Sequence, residues 1–116
     1  MSKSNEAFWW SLFSAGGVLA ALCLPAIMLA TGFLLPTQEP AYAVDRYAQM
    51  HGVAALWPVR IALFVVIFLS FFHCAHRIRH TLMDIGLRRL EPVLKLLCYG
   101  GALAGTIAGA VVLVKL

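Results

Sequence analysis

Charge is what this sequence has least of. Only 12% of its 116 residues are charged and 62% are hydrophobic, whereas soluble domains average roughly half apolar and about a quarter charged. That balance excludes an ordinary water-soluble domain and points to lipid. No carboxylate lies within Leu12–Leu35, Val53–Ala75 or Leu96–Val114. The absence argues against a di-metal carboxylate centre, and equally against a proton-coupled exporter that works through an intramembrane acid. No phosphate loop, nucleotide fingerprint or nucleophile with its base is visible, so the chain is not expected to be an enzyme by itself. Cys23, Cys74 and Cys98 are odd in number, widely spaced and set in apolar sequence. They suit plain packing, not a disulfide framework or a CxxC metal site. Period-two alternation is missing too, which excludes barrel strands.

What is present is three long apolar runs, each near the roughly 20 residues needed to cross a bilayer. They give spans at approximately 12–35, 53–75 and 96–114, and hence a single all-α integral membrane domain over residues 1–116. Leu12–Leu35 and Leu96–Val114 carry no charge, and Val53–Ala75 carries only Arg60 and His73. Pro36 marks the first exit, Pro92 precedes the third span where a missing N–H is harmless, and Pro25 is expected to kink the first span. The start, MSKSNEAFWWS, leads to no convincing small-residue cleavage site, so the first span is expected to be kept.

The net charge of +4 does not come from a basic stripe; the nine Lys and Arg lie between the apolar runs. Lipid headgroups or an acidic protein partner fit this better than nucleic acid. The loop at residues 36–52 holds Glu39, Asp45 and Arg46, while residues 76–95 hold Arg77, Arg79, Arg88, Arg89 and Lys95 against Asp84 and Glu91. The basic loop belongs in the cytoplasm, which puts the N-terminus there as well and Lys115 on the far side. Trp9, Trp10 and Trp57 suit interfacial belts. In the third span Gly101, Gly105 and Gly109 recur every four residues and make a smooth face for another helix. Ser14–Gly17, "SAGG", is a second place where something can approach the backbone.

The stretch "FFHCAHRIRHTLMD" gathers three imidazoles at one helix end. His73, His76 and His80 are spaced by three and four and so share a face, with Arg77 at its edge. Arg79, Arg88 and Arg89 are explained by headgroup contact at the end of a span. Histidines are not needed for topology, and they can donate, accept or bind metal near neutral pH. Clustered at the rim of a bundle, they suit hydrogen bonding to a quinone carbonyl and stabilisation of its reduced forms. A haem held by His73 or His76 remains the competing reading. Arg60 lies 16 residues before His76, roughly 24 Å along a helix, and is expected to snorkel to the opposite surface.

Two stretches resemble a known family. "FWWSLFSAGGVLAALCLPAIMLATGFLLP", Phe8–Pro36, and "HRIRHTLMD", His76–Asp84, look like the D subunit of bacterial fumarate reductase, a small membrane anchor. The shared features are a tryptophan, an "AGG", a mid-span proline, a closing "LLP" and a His-Arg-x-x-His followed by Asp. The resemblance implies three helices packed with those of a second anchor, the C subunit. Together they would tether a flavoprotein and an iron–sulfur protein to the bacterial cytoplasmic membrane in a heterotetramer serving anaerobic respiration. It implies a shared menaquinone site passing electrons from menaquinol to fumarate, with flavin and iron–sulfur clusters in the partner subunits only and no haem. Trp10, His76 and Arg77 match the family's pocket residues. His80 would carry a proton or contact the iron–sulfur protein.

The sequence departs from the family in two places. "HGVAALWPV" stands where a polar Gln-Ser pair is usual, and His73 stands where the family typically has no histidine. Two alternatives stay open: a haem b-bearing anchor of a succinate dehydrogenase, and a non-redox helix-packing membrane protein.

Overall fold

The structure is a computed structural model that describes residues 5–34 and 40–116. The span exit expected at Pro36, and the side chains of Glu6 and Trp9, lie outside the described residues. Every element among the described residues is helical. α1 runs Glu6–Leu29 and widens to π-helical turns over Ala30–Leu34. α2 spans Pro40–Ala54, α3 Trp57–Asp84 and α4 Glu91–Lys115, with a 3-10 turn at Leu87–Leu90 before α4.

Among the described residues three segments are long and apolar enough to cross a membrane: Trp10–Leu34, Trp57–Asp84 and Leu87–Lys115. The chain is thus a multi-pass membrane protein whose helices extend beyond the apolar runs. α3, at 28 residues, is roughly 42 Å long against a hydrocarbon core of about 30 Å. The histidine cluster stands in its last three turns.

α2 was not evident from hydropathy. The connection expected to be a loop over residues 36–52 is mostly a 15-residue helix, with every residue up to Val53 exposed. Among the described residues it packs on α3 only; it ends at Ala54, and the extended backbone of Leu56 leads into Pro58 in the first turn of α3. Proline there removes only an N–H that has no intrahelical partner.

α3 is the central element, since α1 and α4 both pack on it and, among the described residues, not on each other. Small side chains make this possible. Ser70, Ala75, Ala102 and Thr106 are buried, and Thr106 Oγ1 is satisfied by donating to the Ala102 carbonyl at 2.8 Å. A Cβ at Gly105 would come within 2.9 Å of the Phe71 ring, and one at Gly109 within 3.1 Å of Ile67. Two members of the expected glycine face therefore meet α3, whereas Gly101 faces nothing within 4 Å. The α3–α4 turn closes at Gly86, whose φ of 108° is the left-handed conformation that glycine adopts without a Cβ clash. Its N–H donates to the Met83 carbonyl at 3.2 Å and helps satisfy the helix end.

The up–down–up course brings the start of α1, the end of α3 and the start of α4 to one end of the bundle. Most large apolar side chains, such as Leu22, Met28, Ile61, Leu97 and Val112, remain exposed. In a membrane helix this surface is the one that meets lipid or a neighbouring protein.

Candidate functional site

The site begins with two glycines on α1. A Cβ at Gly16 would lie 2.7 Å from the Leu69 carbonyl oxygen, and one at Gly17 would lie 2.6 Å from His73 Cε1. Only glycine lets α3 come this close and lets an imidazole lie over the α1 backbone. Through that gap His73 Nδ1 donates to the Phe13 carbonyl oxygen at 3.0 Å. The ring also stacks on the Phe13 side chain, with centroids 4.4 Å apart and planes 17° from parallel. Helix spacing made His73 and His76 neighbours on one face; the tertiary structure wedges Phe13 between them, its ring 4.6 Å from that of His76.

His76 is held from the other side. Its Nδ1 lies 3.0 Å from the Tyr99 hydroxyl on α4, a group that can donate or accept. His80 follows one turn later, its ring 4.4 Å from that of His76. Trp10 meets Phe13 edge to face at 5.9 Å. Trp10, Phe13, His73, His76 and Tyr99, together with apolar side chains of α1 and α3, line a cavity of about 630 Å³. That volume lies within the range of small-molecule sites, and a mostly apolar wall with a few convergent polar groups is their usual chemistry. The walls suit a flat aromatic molecule that presents oxygen atoms to imidazole nitrogens.

The residues expected from sequence are placed unequally. Trp10, 61% exposed, and His76 line the cavity. His80 is exposed and adjoins the site through His76 only. Arg77 is exposed, is absent from the cavity wall, and forms no hydrogen bond or ion pair among the described residues. Sequence reasoning missed Phe13 and Tyr99. A phenylalanine in an apolar span carries no distinguishing signal. Tyr99 does carry one, because a hydroxyl inside an apolar helix requires a partner.

Arg79 departs from expectation as well. Instead of reaching headgroups it turns between α3 and α4, its side chain only 12% exposed, and donates to Glu91 Oε1 at 2.9 Å. The same oxygen accepts from Lys95 Nζ at 2.8 Å. One carboxylate so joins the end of α3 to the start of α4, one turn from the His76–Tyr99 contact. Among the described residues no group of three or more His, Cys, Asp or Glu is arranged to hold a metal ion.

The chain is similar to known proteins along almost all of its length. The family of fumarate reductase D subunits matches residues 1–114. The fumarate reductase D subunit of Mycobacterium tuberculosis is 37% identical over 108 residues, covering 90% of this chain and 82% of the relative. That of Shewanella putrefaciens is 32% identical over 115 residues, covering 98% and 93%.

Proposed function

The chain belongs to the family of fumarate reductase D subunits, and from that premise we propose that it anchors a quinol:fumarate reductase and forms half of its menaquinone site. The partners in this reading are the flavoprotein, the iron–sulfur protein and the C anchor, assembled as a heterotetramer on the bacterial cytoplasmic membrane and serving anaerobic respiration. The N-terminus lies in the cytoplasm, in keeping with the basic α3–α4 connection.

The observation that carries the reading is the cavity of about 630 Å³ at the basic end of the bundle, where Trp10, His73, His76 and Tyr99 converge. Menaquinol bound there supplies two electrons and two protons, the electrons passing to clusters and flavin held by the partner subunits. Trp10 walls the ring, and its indole N–H is a hydrogen-bond donor. His76 exchanges a proton with a quinone oxygen, and the Tyr99 hydroxyl lets the imidazole adopt either tautomer. Arg77, which has no partner among the described residues, extends to negative charge at the mouth of the site. His80 passes protons outward or meets the iron–sulfur protein.

The test separates quinol-linked from flavin-linked turnover in the assembled complex. Trp10→Ala and His76→Ala are expected to lower menaquinol-driven fumarate reduction by about two orders of magnitude, as for loss of a proton-transfer group. Fumarate reduction by an artificial donor that reduces the flavoprotein directly should persist. Equal loss of both activities would mean failed assembly and count against the quinone reading. A reduced-minus-oxidised spectrum of the complex is expected to show no b-type haem band.

A further inference from the structure

His73 belongs to none of the family's matched pocket positions, yet its ring is held in the cavity wall by a backbone carbonyl and a stacked phenylalanine. A carbonyl oxygen can only accept, so the 3.0 Å contact with Phe13 requires the proton to be on Nδ1. In the neutral ring the lone pair is then on Nε2. That nitrogen has no hydrogen-bond partner among the described residues and is not among the buried unpartnered atoms. The ring itself lines the cavity. His76 differs, because its partner is a hydroxyl that can reverse its role. In the neutral form one imidazole is therefore locked as an acceptor at Nε2, and the other can switch.

We infer that His73 Nε2 is the base that takes a proton from menaquinol, held in register by the Phe13 carbonyl and admitted by Gly17. The inference rests on the quinone reading above and adds a catalytic residue to it. In the step, a quinol O–H bond breaks and an Nε2–H bond forms. One electron leaves at the same time for the one-electron iron–sulfur acceptor of a partner protein. The imidazole passes from neutral to cationic; the second proton and electron leave in a second such step, with His76 as acceptor. The Phe13 carbonyl keeps its hydrogen bond from Nδ1–H throughout, and the Phe13 ring stays stacked on the imidazole. Without Gly17 the ring cannot occupy this position, since a Cβ would lie 2.6 Å from Cε1.

The experiment uses the complete complex in native membranes, with menaquinol and an artificial flavoprotein donor as alternative reductants. His73→Gln retains an N–H donor for the Phe13 carbonyl but no base; His73→Phe retains an aromatic ring to pack on Phe13. Both are expected to lower menaquinol-driven turnover by about two orders of magnitude while artificial-donor turnover stays within about twofold. His73→Gln should also change the solvent deuterium isotope effect on menaquinol oxidation, which a packing role would leave alone. Gly17→Ala should reproduce the selective loss. If the His73 variants keep menaquinol turnover while Trp10→Ala and His76→Ala lose it, the quinone site stands and the His73 assignment falls. If none of these variants loses it selectively, both fall. Loss of artificial-donor turnover in both His73 variants would make the residue structural and overturn the assignment.

Discussion

At the end of the bundle where α1 begins and α3 finishes, polar side chains come in joined sets: His73 with the Phe13 carbonyl, His76 with Tyr99, and Arg79 with Glu91 and Lys95. At the opposite end Arg60, in the first turn of α3, sits beside a smaller cavity of about 250 Å³ lined by Ile61, Phe64, Ala110, Leu113 and Val114. Its Nε is buried and bonds to nothing among the described residues. Both ends have a cavity beside a cation, but only the first brings imidazoles together with several aromatic rings around it. A positive charge at a membrane edge is explained by headgroups; two imidazoles of α3 held by contacts from α1 and α4 are not.

The largest expected effect is the one that would erase this contrast. If Trp10→Ala or His76→Ala left menaquinol-driven turnover intact, the two ends would be equivalent in function; the expected loss is about two orders of magnitude. Tyr99→Phe sharpens the same point. It removes the hydroxyl but keeps the ring, and should lower menaquinol turnover by roughly tenfold, the share of one hydrogen bond of about 1 kcal/mol or slightly more. A stopped assay at fixed menaquinol reads all three variants.

Packing comes next. Gly16→Leu forces atoms against the Leu69 backbone, and Gly105→Leu forces them against Phe71. Each should cost about 1–3 kcal/mol, read as a lower Tm of the purified complex in detergent. Gly101→Ala meets nothing within 4 Å among the described residues and is expected to leave Tm unchanged. A clear drop there would reveal a neighbouring protein's helix on that face. The smallest effect is reserved for the plain end: Arg60→Gln should alter menaquinol turnover by less than about twofold, because no second group converges on it.

Much of the architecture is legible from composition and period. Three apolar runs of membrane-crossing length announce three helices, and spacing by three and four puts the histidines on one face. The same rules could not see α2. Pro40–Ala54 is not apolar enough to cross a membrane, and it lies almost wholly within a connection between two apolar runs. Arg79 and Arg88 look alike in sequence, each a cation just beyond an apolar run. One is turned inward by a carboxylate 12 residues away, and the other lies exposed in the turn. "SAGG" was recognisable as a point of close approach, but not as the place where His73 meets Phe13.

By itself, then, the sequence determined that this chain lives in a membrane, how many times it crosses, and which helix end is rich in histidine and arginine. Those properties follow from local hydropathy and the helical repeat, which need no partner. Tertiary structure decided which imidazole is locked and which can switch, which arginine is withdrawn from solvent, and that Phe13 and Tyr99 complete the cavity. Each of these depends on the depth and rotation of one helix against another. Those are set by where glycine, alanine and serine allow α1 and α4 to close on α3, and no single helix contains that information.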